Sequence, residues 1–137
     1  MISTKTQNSS LNITFSSSLD NIDEAAENTK KFLITHNKGD YVFNAILVMR
    51  EGLSNAVIHG NQYDENKVVT YYCKLDNHDL IFEITDQGNG FDWKKELKKQ
   101  QDTTAICGRG LYIMNIYSKS MTYNSIGNHL MLKLNLS

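Results

Sequence analysis

Proline does not occur anywhere in the 137 residues. Turns and helix ends must therefore be set by glycine and by clusters of Asn, Asp and Ser. Cysteine occurs only twice, as Cys73 and Cys107, with neither the C-x-x-C spacing of a redox pair nor that of a zinc site. Two free thiols, buried or half-buried, are the expectation. No apolar run approaches the roughly 18 to 20 residues that cross a bilayer. Met1 to Ser10 is polar and lacks the apolar centre of a secretory signal, so a cytoplasmic protein with no membrane partner is expected. Neither sign of charge dominates, because 14 basic and 15 acidic side chains leave a net charge of −1. Direct nucleic-acid binders usually carry a basic excess or stripe. The nearest approach to one, Lys94-Lys95 and Lys98-Lys99, is interrupted by Glu96 and fits a solvated helix face.

What is present describes a soluble globular chain, with 40% apolar and 21% charged residues. The length suits one domain with one core, spanning 1–137, with residues 1–10 flexible. Residues 11–16 alternate apolar and polar as a half-buried strand does. Ser16 to Ser18 offer helix N-caps. Leu19, Ile22, Ala26, Thr29 and Leu33 then recur at helical spacing, and Gly39 marks a turn. A second helix is expected from Asp40 to Gly60, with Phe43, Ile46, Leu47, Leu53 and Val57 on its apolar side. Val68–Leu75 and Leu80–Asp86 form a hairpin signal around Asp76-Asn77-His78-Asp79. Residues 87–107 suggest a long, partly helical loop, Gly110–Tyr117 a helix, and 121–125 with 130–136 a last hairpin. The order β-α-α-β-β-loop-α-β-β predicts an α+β fold, with helices on one face of a mixed or antiparallel sheet.

Three clusters carry candidate chemistry. In Glu51-Gly52-Leu53-Ser54-Asn55-Ala56-Val57-Ile58-His59-Gly60-Asn61, Glu51 and Asn55 lie one helical turn apart on one face. A carboxylate can serve as a general base, and an amide oxygen can ligate a hard cation such as Mg²⁺. The same pair also fits an ordinary solvated face. In Asp86-Gln87-Gly88-Asn89-Gly90 a carboxylate ends an apolar strand and two glycines follow. It could accept a hydrogen bond from a ligand amine while the glycines let the backbone approach a flat base. A strand exit or part of a calcium loop has the same pattern. Gly108-Arg109-Gly110-Leu111 opens a helix, where backbone N–H groups and an arginine fork can meet phosphate.

In this order and on these elements, the clusters resemble the three boxes of the GHKL nucleotide-binding superfamily, which includes gyrase-type ATPases, histidine kinases and MutL-type repair proteins. Glu51 to Asn61 resembles the N box, Asp86-x-Gly88-x-Gly90 the first glycine box and Gly108-x-Gly110 the second. From about residue 11 to 136 the chain is similar to anti-sigma factors with serine kinase activity, the RsbW/SpoIIAB type. The segment before Glu51 follows that pattern and leaves no room for the helical hairpin that carries a histidine kinase's phospho-accepting His.

The resemblance implies a two-layer α/β sandwich of the Bergerat type that binds ATP with Mg²⁺. Glu51 would be the catalytic base and Asn55 the metal ligand. Asp86 would bind the adenine amino group, with Gly88 and Gly90 close to the base. Gly108, Arg109, Gly110 and Leu111 would hold the phosphates, and residues 91–107 would be a mobile lid. His59 is assigned no ligand role. The implied function is to bind a sigma factor and to phosphorylate a serine of an anti-anti-sigma partner of the STAS type. A homodimer is implied as well. The alternative is a non-catalytic regulator whose protein binding is tuned by nucleotide.

Overall fold

The computed structural model describes residues 2–103 and 108–136. Along the chain these form β1 (Ile2–Gln7), β2 (Ser10–Ser16), α1 (Leu19–Thr35), a 3₁₀ turn (Gly39–Tyr41) and α2 (Val42–Asn55). A π-helical turn (Ala56–Gly60), β3 (Val68–Asp76) and β4 (Asp79–Thr85) follow. The chain continues through α3 (Trp93–Gln101), α4 (Gly110–Tyr117), β5 (Ser120–Tyr123) and β6 (His129–Asn135). The strands make one sheet in the order β1-β2-β3-β4-β6-β5, and every neighbouring pair is antiparallel.

Alternation puts one side of each strand inward. Ile13, Tyr71, Ile84 and Leu130 sit opposite one another in register across β2, β3, β4 and β6, as do Leu11, Cys73, Phe82 and Leu132. All eight are buried, and α1, α2 and α4 add their apolar faces to the same cluster. The fold is the expected α+β arrangement of two layers.

α2 lies close against the sheet because Gly52 has no side chain. A Cβ there would stand 2.6 Å from Ile84 Cδ1 and 3.1 Å from Leu130 Cδ2. The apolar side of α2 differs from the one expected. Leu53 and Val57 are buried, but Phe43 is 76% exposed. Ala45, Gly52 and Ala56 face the core instead, small residues that an apolar-periodicity count underweights. The N-terminal stretch expected to be flexible is an edge strand, paired from Ile2↔Phe15 to Gln7↔Ser10. Its side chains are mostly exposed, so it is held by backbone hydrogen bonds and carries no alternation signal.

Ser18 caps α1, its Oγ accepting the Asp20 N–H at 3.4 Å. Asp92 caps α3 inside the long polar loop, accepting the Lys95 N–H at 3.2 Å. Cys73 is a free, buried thiol, and burial pushes it up to about 12. Cys107 lies outside the described residues. No helix among the described residues is long and apolar enough to cross a membrane.

Candidate functional site

The site is assembled where α2 ends. Glu51 and Asn55 project from its last turn, and the start of α4 packs against both. A Cβ on Gly110 would stand 2.6 Å from Glu51 Oε2 and 3.7 Å from Asn55 Oδ1. A side chain at this position would have to displace the Glu51 carboxylate. Glu51 is half-buried, and loss of water there raises its carboxyl above the ordinary glutamate range.

Beyond Asn55 the helix widens into the π turn. The Asn61 N–H reaches back to the Ala56 carbonyl at 2.8 Å, an i to i+5 bond of the kind that π-bulges at functional sites use. The turn brings Gly60 under Asp86, where a Cβ would lie 2.4 Å from the carboxylate's Cγ and Oδ2. Asp86 follows β4 directly and is 9% exposed. Its Oδ1 accepts the Gly88 N–H at 2.8 Å. Burial pushes its carboxyl up; the Gly88 N–H and the charge of Lys67 draw it part of the way back.

The first glycine pair is packed in the same manner. A Cβ on Gly88 would sit 2.0 Å from the Gly60 carbonyl oxygen. Gly90 has φ +80°, and its Cβ would overlap the Ile126 carbonyl oxygen at 1.9 Å. The neighbouring Phe91 N–H donates to that carbonyl at 3.0 Å. This loop is thus fixed to the helix end on one side and to the β5–β6 turn on the other.

Two cavities adjoin here. A small one of about 30 Å³ lies between Asn55, Gly60, Asp86, Gly90, Phe91 and Tyr123. A larger one of about 570 Å³ is bordered by Glu51, Asn55, Glu96, Gln100, Arg109 and Gly110. Asn55, His59 and Phe91 line both. Gly108 and Leu111 also border the larger cavity. Gly108 is in the left-handed region at φ +73°, with open space around it. The Leu111 side chain belongs to the core, at 1% exposed, so only its backbone is available to a ligand. The Arg109 guanidinium stacks 4.1 Å from the Tyr112 ring. Its Nε is buried without a hydrogen-bond partner among the described residues, a donor suited to an anion. Part of the expected lid, residues 104–107, lies outside the described residues; 91–103 hold α3.

Two site residues were not singled out by the sequence reading. Asn61, 1% exposed, ties three segments together. Its Nδ2 donates to Ser17 Oγ at 2.8 Å and to the Val68 carbonyl at 3.0 Å, while its Oδ1 accepts the Gln87 N–H at 2.7 Å. A polar residue directly after a helix-ending glycine was the available signal. Tyr123 closes the small cavity, its ring edge-on to Phe91 with centroids 5.1 Å apart. Burial pushes its phenol well up, and the Asn55 side chain draws it partly back. The inward parity of β5 was the signal there.

One antiparallel sheet, a helical layer on one side, and a glycine-packed cleft between α2, β4 and α4 define an ATP-binding domain of the GHKL class. The model of the histidine kinase-like ATPase domain matches residues 15–134. The chain belongs to that family. A search of curated proteins finds no match to it.

The residues present suit Mg-ATP. Gly60 and Gly90 line the small cavity beside Asp86, where backbone without side chains can approach a flat base. Among the described residues no group of three His, Cys, Asp or Glu could cage a metal. Mg²⁺ is commonly held by one or two protein oxygens together with substrate phosphates, and the Asn55 amide at the junction of the cavities can supply such an oxygen.

Proposed function

We propose that the protein is an anti-sigma regulatory factor that binds a sigma factor and uses Mg-ATP to phosphorylate a serine on a STAS-type anti-anti-sigma partner. The observation that carries this reading is the meeting of Glu51, Asn55 and Gly110 at one point: a half-buried carboxylate, an amide oxygen and the start of a helix. General base, cation ligand and phosphate cradle are the parts that phosphoryl transfer to a hydroxyl requires.

In this reading Asp86 accepts the adenine amine, and the Gly60, Gly88 and Gly90 backbones form the floor. The small cavity has room for little more than a water, so the base enters by displacing the Phe91 and Tyr123 rings. Gly110 and Leu111 N–H groups, with Arg109, take the phosphates. Asn55 would hold Mg²⁺, which would supply positive charge to neutralise the phosphate oxygens. Glu51 accepts the serine proton while the serine oxygen bonds to the γ-phosphorus and the bond to the β-phosphate oxygen breaks, releasing ADP. The upward displacement of Glu51 by burial favours that proton transfer.

Protein binding is supported separately. Phe43 is exposed in a groove between α1 and α2 that joins apolar Ala26, Val42 and Ile46 to charged Glu27, Lys30 and Arg50; apolar patches rimmed by polar residues often mark partner surfaces. Self-association belongs to the same reading.

The test is incubation with radiolabelled ATP, Mg²⁺ and soluble STAS-type proteins, with sigma-factor capture measured in parallel. Label on a partner serine is the expected result. ATP binding and sigma capture without any labelled partner would leave the nucleotide-tuned binder in its place.

A further inference from the structure

The lid helix α3 is unusual in what it buries. Its exposed side is mostly lysine and glutamine, and its one buried residue is the polar Gln100, at 8% exposed. Burying an amide is costly unless both its ends find partners. Both do: Gln100 Nε2 donates to Glu96 Oε1 at 3.3 Å, and Gln100 Oε1 accepts the Tyr112 N–H at 3.0 Å.

The second bond crosses from α3 to α4. The first intrahelical bond of α4 runs from the Ile113 N–H to the Arg109 carbonyl at 2.9 Å. The N–H groups of Gly110, Leu111 and Tyr112 therefore belong to the unsatisfied first turn. Arg109, at the N-cap position, makes no side-chain cap. Gln100 caps that turn from another element. It takes Tyr112 and leaves Gly110 and Leu111 beside the 570 Å³ cavity, which Glu96 and Gln100 also border. α3 is seated as a wall of that space, with the space still open beneath it.

We propose that Gln100 is a positioning residue that latches the lid to the first turn of α4, so that one side chain fixes both the wall of the phosphate cavity and the helix end that binds phosphate. The placement of phosphate rests on the functional reading above; the latch itself does not. It acts through α4 and the lid, so its effect is confined to ligands that carry phosphate.

Two variants test it. Gln100→Met keeps the length and removes the acceptor; Gln100→Glu combined with Glu96→Gln keeps an acceptor and still pairs a carboxylate with an amide, as Gln100 and Glu96 do now. Without nucleotide, the Tyr112 amide should exchange with solvent about two- to tenfold faster in Gln100→Met, the factor expected from one net hydrogen bond. In the Glu96→Gln, Gln100→Glu double variant it should remain near wild type. By stopped flow, ADP should dissociate from Gln100→Met faster by a similar factor, with adenosine dissociation unchanged. If Gln100→Met does not fold, Gln100→Ala replaces it. Unchanged Tyr112 exchange in the variant lacking the acceptor would overturn the latch, as would equal changes for ADP and adenosine. If wild type binds no ADP at all, the nucleotide reading fails, and Tyr112 exchange alone decides the latch.

Discussion

Asp86 is a carboxylate buried beside glycine backbone, with one hydrogen bond from its own loop, the Gly88 N–H to Oδ1. Such a group is expensive to hold ionised unless a ligand donor completes it. Asp86→Asn keeps the size and retains an oxygen for Gly88, but removes the charge that would accept an adenine amine. Calorimetry should show ATP binding weakened by about 1.5–3 kcal/mol, the range of a charged hydrogen bond. GTP binding as tight as ATP in wild type would remove the assignment. Glu51 makes a different test, on stability. Burial raises its pKa in the folded chain, so the folded protein holds that proton more firmly than the unfolded one. The stability it contributes is then complete below the unfolded glutamate value and is lost as pH rises through the folded one. Glu51→Gln mimics the protonated form. It should raise Tm at pH 7, and the gain should shrink as pH falls toward about 4, near the free glutamate value. Thermal melts across that range check this; a lower Tm for Glu51→Gln at pH 7 would mean that Glu51 is better satisfied than its burial implies.

Among the elements, the helix ends and loops around the site are set by close backbone approach. At Gly88 a methyl group would meet the Gly60 carbonyl at 2.0 Å, with backbone on both sides and little room to relax. Gly88→Ala should destabilise the fold by about 1–3 kcal/mol, the usual cost of overpacking, measured by urea denaturation; an unchanged midpoint would show that the loop can move. The regular elements were the most legible part of the sequence. α4 begins at Gly110 and ends at Tyr117 as the periodicity predicted, and β2, β3, β4 and β6 agree to within a residue or so at each end. Their apolar residues face one core, and alternation reports that directly. β1 was missed because its pairing with β2 is a backbone matter. The π turn was missed because a helix of that sequence could also have continued to Gly60 with ordinary i to i+4 bonds; the Asn61 anchor to Ser17, Val68 and Gln87 accompanies the change.

At the scale of the whole molecule, the site is a meeting of segments far apart in the chain. Glu51, Asp86 and Gly110 each sit in a short motif that is weak alone. Their convergence was legible only through the ordered set of three, and the fold provides it by stacking α2 and α4 on the sheet beside the end of β4. Gln100 and Tyr123 lie outside the three motifs, and Asn61 only closes the first; the roles of all three depend on tertiary contacts, so pattern alone did not bring them out. Under the proposed function this convergence separates binding from transfer, with Asn55 to hold the cation and Glu51 to take a proton. Removing a metal ligand should weaken Mg-ATP binding. Removing a general base should spare it and slow transfer by roughly 10²- to 10⁴-fold. The most direct measurement is calorimetric titration of Mg-ATP into wild type, Glu51→Gln and Asn55→Ala, with transfer to the partner serine followed on the same preparations. Glu51→Gln should keep near-normal affinity with strongly reduced transfer, and Asn55→Ala should lose both. Wild-type transfer by Glu51→Gln, or unchanged Mg-ATP affinity in Asn55→Ala, would contradict those roles.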